Sequence, residues 1–225
     1  TTSNTSPHIS SLTLSSPLSD EVFKDIKLKT SEVDTVIQVI YTQLNSAKFR
    51  DLVITELFID ATPAIGFPEV EWFEILNRSD KYVDINRWSV IANSTSSFAE
   101  PTDIIPGNGW NGVLSPNERF LISTLAFDSC EFEPYPKLQA ELPGISSLND
   151  NGMTLTLLRP DGTLIDQITY DRTWWQPYSI PARSTSKIYT GGCGLTSNWA
   201  PSLSITGANP WLAGENETSE PSCLI

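Results

Sequence analysis

The stretch that most constrains the fold runs from Asp51 to Ile91, DLVITELFIDATPAIGFPEVEWFEILNRSDKYVDINRWSVI. It predicts three strands in succession. Leu52 to Ile59 is rich in β-branched and aromatic residues, and Ala61 to Pro68 breaks it with prolines and a glycine. Val70 to Leu76 is the second strand, Asn77-Arg78-Ser79-Asp80 its turn, and Tyr82 to Ile91 the third. Branched and aromatic side chains pack well on a pleated surface, while Pro, Gly, Asn and Asp supply the backbone conformations that turns require.

The same grammar continues downstream. Ser115-Pro116-Asn117 opens a strand that runs toward Leu125. Met153–Leu158 and Leu164–Tyr170 flank Arg159-Pro160-Asp161-Gly162, a hairpin turn between alternating runs. The second run alternates Leu164, Asp166, Ile168 and Tyr170 with Ile165, Gln167 and Thr169. One dry face and one wet face per strand is what two packed antiparallel sheets need. Ser184 to Thr190 is the expected last strand, and Gly191 to Ile225 reads as loop. Ahead of the main region, Leu12–Leu14, Val22–Leu28 and Val33–Leu44 read as short strands, an amphipathic helix being the competing reading of the last. The expected organisation is an N-terminal polar tract and β-rich extension over residues 1–50, an all-β two-sheet sandwich over 51–214, and a tail over 215–225.

With 225 residues, 39% of them hydrophobic, the chain can bury a sizeable core. The 27 Asp and Glu against 14 Lys and Arg give a net charge of -13, which repels phosphate backbones and anionic lipid alike. No nucleic acid and no membrane insertion are therefore expected. The polar opening TTSNTSPHISS shows no signal-peptide pattern and suggests a mature or trimmed N-terminus.

The chemistry available is narrow. His8 is the sole histidine and sits in that polar opening, so histidine-dependent hydrolysis and His-bearing zinc sites have little to build on. Cys130, Cys193 and Cys223 form no C-x-x-C pair. A Cys193–Cys223 disulfide would tie down a loop-rich tail, leaving Cys130 free, with Cys130–Cys193 the alternative. Carboxylates remain. If Phe73 and Ile75 face the core, Glu74 faces out, and Glu56 on the preceding strand faces out beside it. Like charges placed opposite each other destabilise a sheet. Either the two are offset, or a Lys or Arg neutralises them, or a cation such as calcium does.

In order, VITEL, EVEWFEILNRSD, YVDINRW, LSPNERFLI and SLNDNGMTLTLLRPDGTLIDQITY resemble the lamin tail domain, and the bacterial secreted version in particular. Glu56, Trp72, Phe73, Glu74, Leu76, Asn77 and Trp88 fall on its strand motifs, and Trp174, Cys193 and Asn198-Trp199 on its tail. Asn86-Arg87 stands where Ser-Gly is usual before the tryptophan, and Ser115-Pro116-Asn117 lacks the usual glycine. The resemblance implies an immunoglobulin-like sandwich and an extracellular module without a known chemistry.

Trp72 and Leu76 share the outward face with Glu74, with Ile54 and Phe58 beside them, which leaves an apolar face that something must cover. Val33–Leu44 of the same chain is the expected cover. Trp72, Trp110, Trp174, Trp175, Tyr178 and Trp211 are the candidate binding aromatics, and Glu56 with Glu74 the candidate calcium ligands, no other cofactor being expected. The reading is a non-catalytic extracellular or cell-surface module for adhesion, scaffolding or binding of a protein partner. A carbohydrate-binding module taking a surface glycan is the alternative, and a carboxylate-dependent hydrolase the third.

Overall fold

The computed structural model describes residues 23–29, 34–40, 47–63, 66–94, 99–107, 110–124, 139–145, 147–178, 183–188, 190–192, 195–210, 212–214 and 217. The chain divides into two compact units, Thr1–Gln43 and Leu44–Ile225. The first holds β1 (Phe23–Lys29) and β2 (Asp34–Ile40), an antiparallel hairpin pairing Phe23 with Ile40 and Lys29 with Asp34. The central part of Val33–Leu44 is thus a strand rather than a helix. The second unit begins before the expected boundary near Arg50, because Ala47 is already buried in its core and the Arg50 N–H donates to the Ile165 carbonyl.

Among the described residues, thirteen strands of the second unit follow in order. They are β3 (Leu52–Phe58), β4 (Trp72–Asn77), β5 (Val83–Asp84), β6 (Ser89–Ser94), β7 (Thr102–Asp103), β8 (Ile105–Pro106) and β9 (Val113–Leu114), then β10 (Arg119–Ser123), β11 (Gln139–Glu141), β12 (Met153–Leu158), β13 (Leu164–Tyr170), β14 (Thr185–Lys187) and β15 (Trp199–Pro201). One sheet has seven strands in the order β15-β14-β3-β4-β10-β11-β8, a second has four, β13-β12-β6-β7, and β5 pairs with β9 as a two-stranded ribbon. All pairings are antiparallel except β10 with β11. The main core lies between the sheets. Leu52, Ile54, Leu57, Phe73, Ile75, Phe120 and Ile122 come from the first, and Val90, Leu155, Leu157, Ile165, Ile168 and Tyr170 from the second. This is the antiparallel two-sheet sandwich expected from the alternation, immunoglobulin-like in class.

Two bulges re-aim side chains. In β3 the inward residues are Leu52 and Ile54, then Leu57 and Ile59, so Thr55 is the extra residue where the register against β4 shifts. In the β12–β13 hairpin the register shifts at Leu157/Leu158, which buries Ile165 and leaves Leu164 exposed. A bulge inserts one unpaired residue and turns the next side chain to the other face. Ile54 therefore lies in the main core and not on the outward face.

The turns where the sequence departs from the family pattern keep the backbone that glycine would give. Arg87 has φ 63° and Asn117 has φ 61°. Asn tolerates the left-handed region through local hydrogen bonding, whereas for Arg it costs roughly 1–2 kcal/mol. Glycine carries an unfolded-chain entropy cost of about 0.5–1 kcal/mol. Arg87→Gly is therefore expected to stabilise the domain by about 0.5–1 kcal/mol, read as a raised denaturation midpoint with unchanged slope.

Candidate functional site

The outward face of the seven-stranded sheet carries the predicted carboxylates, and both are buried. Glu56 and Glu74 are direct cross-strand partners, 1% and 0% exposed. Their charges are met by the protein. Arg119, opposite Leu76 at the start of β10, places Nη1 at 2.6 Å from Glu74 Oε1 and Nη2 at 2.8 Å from Glu217 Oε1. The bulged Thr55 hydroxyl donates to Glu74 Oε1 at 2.6 Å. Glu56 Oε1 accepts from the Ser184 hydroxyl at 2.5 Å and from the Asn209 N–H at 3.2 Å. Burial works against the Arg119 guanidinium, but the two carboxylates outweigh it and hold its pKa above the ordinary value. Of the three arrangements open to the pair, neutralisation by an arginine is the one found at Glu74. Among the described residues, no three Asp, Glu, His or Cys side chains converge as a metal would need.

The cover over this face comes from its own unit. Phe58 stacks on Trp72 at 5.4 Å, and Phe67 meets Phe58 edge-on at 6.4 Å. Ala61, Leu121 and Ala208 complete this second apolar cluster. After β15 the chain returns across the sheet as a strap. The Gly207 carbonyl accepts the Ser184 N–H, Asn209 reaches Glu56, and Glu217 reaches Arg119. Gly214 lies so close over Ser186 that a Cβ there would stand 2.9 Å from the serine Cβ. Phe67 and the strap cover this face from within the second unit; the expected cover, Val33–Leu44, lies almost wholly in the first unit. The tail set apart from residue 215 onward likewise contributes to the domain through Glu217.

Most of the candidate binding aromatics are structural. Trp72, Trp174 and Trp175 are 0%, 3% and 0% exposed, so they are corrected from ligand-facing rings to core residues. The adjacent pair is buried because a 3-10 turn, Arg172–Trp175, folds it back after β13, capped by the Asp171 carboxylate on the Thr173 N–H. Trp174 packs on Trp199 at 4.9 Å, and Trp174 and Trp175 each meet Tyr170 edge-on. Trp110 is half-buried, its ring 5.3 Å from Phe120 and its indole N–H given to the Val113 carbonyl at 2.9 Å. Tyr178 alone of the described candidates is well exposed, at 46%. Trp211 and the three cysteines, with either disulfide pairing, lie outside the described residues.

Around Tyr178 stands a group the sequence reading missed. The Arg183 guanidinium lies 4.8 Å above the ring and also donates to the Ser202 carbonyl. Its own carbonyl takes the Trp175 indole N–H at 2.7 Å. Beyond Ser202 the chain turns through Ser204 and Thr206 and presents Leu203 and Ile205, 57% and 95% exposed. An arginine five residues past a tyrosine is no local motif, so spacing alone does not single the pair out.

A second buried charge pair joins the sheets. Lys187 Nζ, on β14, is 3.8 Å from Asp166 Oδ2 on β13 and 5.5 Å from the centre of the Trp199 ring. Asp166 Oδ2 also accepts the Ile54 N–H at 2.9 Å. Burial pulls Lys187 down to about 8, with Asp166 opposing and Arg50 and Arg78 adding to the fall.

No curated protein matches this chain. The family model described as Lamin Tail Domain matches residues 45–172, from just before β3 to the start of the 3-10 turn. The tail positions likened to the family, Trp174, Cys193 and Asn198-Trp199, fall beyond that match. The match spans more than half of the chain and takes in Glu56, Trp72, Asn77 and Trp88 with strands β3 to β13 of the sandwich, so the chain belongs to the lamin tail domain family.

Proposed function

We propose that this chain is a non-catalytic module that binds a protein partner, in an extracellular or cell-surface setting, through the surface formed by Tyr178, Arg183, Leu203 and Ile205. The observation that carries the reading is the Tyr178–Arg183 pair at 4.8 Å, with Arg183 bonded to the Ser202 carbonyl at the start of a segment that exposes Leu203 and Ile205. Tyr and Arg flanked by apolar groups are the side chains that dominate protein–protein binding energy. The arrangement favours a protein over a sugar, because the guanidinium already lies over one face of the ring that a sugar would stack on. In a chain of net charge -13, the arginine also offers an acidic partner group a local attraction. The buried acids are held in hydrogen bonds within the protein and offer no ready general acid or base. The extracellular setting rests on the resemblance to secreted members, and the reading calls for no cofactor.

The test places a photo-crosslinking residue at position 178 or 205 and screens secreted and surface proteins. A discrete product, competed by unlabelled domain and weakened at least tenfold by Tyr178→Ala or Ile205→Ser, is expected for contacts each worth about 1.4 kcal/mol or more. Binding to a glycan array that Tyr178→Ala abolishes would replace this reading with the carbohydrate-binding one. Crosslinks that survive both substitutions would end it.

A further inference from the structure

Glu71, just ahead of β4, reaches out of its own sheet. Its Oε2 accepts the Leu148 N–H at 2.5 Å, in the loop that leads into β12 of the opposite sheet. Its backbone carbonyl meanwhile takes the Thr124 N–H at the end of β10. Leu148 is buried in the main core, so this one carboxyl clips a core-anchored loop of one sheet to the start of the central strand of the other. The groups facing it are of its own sign. Asp60 follows β3, and Asp150 lies in the Leu148 loop. From β13 comes Tyr170, whose buried hydroxyl has no hydrogen-bond partner among the described residues and feels the charges of Glu71 and Asp150. The cation at this end, Arg172, faces Asp150 rather than Glu71.

We infer that this contact is a pH-responsive clasp between the two sheets, with the Glu71 carboxyl as its titrating element and acidification as the closing signal. A carboxylate taken out of water beside other carboxylates is disfavoured in its charged form. Protonated, the same carboxyl still accepts from Leu148 and no longer repels Asp60 and Asp150. It also brings a donor to the end of the sandwich where the Tyr170 hydroxyl is buried. Burial, with Asp150 and Asp60 adding to it and the Leu148 N–H opposing, pushes Glu71 up from 4.5 to about 7. Between those values the folded chain keeps a proton that the unfolded chain releases. The clasp's contribution is therefore full below pH 4.5 and is lost as pH rises through about 7.

The experiment follows the carboxyl carbon of Glu71 by NMR from pH 4 to 9 in the intact chain, together with exchange of the Leu148 amide and denaturation midpoints. A Glu71 midpoint near neutrality is expected, with Leu148 protection rising as pH falls. The folding constant should gain roughly tenfold between pH 8 and 5.5, scaled down because the group is half-buried. Glu71→Gln should abolish that slope, and Asp150→Asn should move the Glu71 midpoint downward. A Glu71 midpoint at the ordinary value, or a slope unchanged in Glu71→Gln, overturns the proposal. If the glutamine variant does not fold, the carboxyl titration and Asp150→Asn still decide it.

Discussion

Arg119→Met is expected to destabilise the domain by about 3–5 kcal/mol, the usual cost of removing one partner from a buried ion pair. Arg119 and Glu74 have side chains 9% and 1% exposed, and Glu74 lies directly across from Glu56. Without the guanidinium, two carboxylates face each other in a sheet interior with hydroxyl and amide donors as their compensation. The same substitution frees Glu217, so the strap loses its far attachment. Arg119→Lys should cost less but not nothing, because Nη1 and Nη2 serve different carboxylates and one ammonium cannot reproduce that fork. Arg119→Met with Glu74→Leu should recover much of the loss, since an apolar pair replaces a buried ionic one at little cost. Denaturant unfolding decides this, and a single-variant loss below about 1 kcal/mol would mean that the network behaves as a surface salt bridge.

Asp166→Ala should cost a similar amount, about 3–5 kcal/mol, for a different reason. Asp166 is the anion set against a cluster of cations: Lys187, fully buried, with Arg50 and Arg78 near enough to add repulsion. It also holds the Ile54 N–H beside the bulge, which alanine would leave without an acceptor. Lys187→Met should cost clearly less. It removes a charge whose burial is unfavourable and leaves Asp166 with Arg50, Arg78 and the backbone amide nearby. The pH dependence has a definite sign. Lys187 is depressed from 10.5 to about 8, so its ionised form is disfavoured by folding, and stability from this group rises with pH between those values. Removing Asp166 takes away the one charge that opposes the depression, so the window widens toward lower pH. Equal losses for Lys187→Met and Asp166→Ala in chemical denaturation would contradict this account.

The strand grammar was readable where local chemistry decides. Met153–Leu158 and Leu164–Tyr170 end where Pro160-Asp161-Gly162 predicts, because Gly162 takes φ 80° and Asp161 caps the turn through the Thr163 N–H. The facing of Phe73 and Ile75 was readable too, and with it the outward Glu74. Bulges were not. Period-2 alternation carries no mark of the extra residue at Thr55 or of the shift that buries Ile165, since both depend on pairing with a distant strand. The strap was illegible because it has no period at all, and β15 within that loop-like stretch went unmarked for the same reason. Trp174-Trp175 misled in the opposite way, since adjacent aromatics in a turn-rich segment suggest exposure until a 3-10 turn folds both onto Tyr170. Arg119 was foreseen in kind, as the Lys or Arg that the Glu56–Glu74 pair required, but not by position. Arg183 over Tyr178 left no trace in the spacing.

The strap has a mechanical consequence. The chain leaves the edge strand β15, crosses β14 and β3 through Asn209 on Glu56, and reaches β10 at Arg119. A pull applied beyond Glu217 would meet the paired hydrogen bonds to Arg119, at 2.8 and 2.9 Å, before it reached any strand. Those bonds sit four strands in from β15, so tension would enter the middle of the sheet and not peel it from its edge. Under such tension the domain would then yield first by shedding its strap, uncovering Trp72 and Phe58 while the sandwich beneath stayed paired.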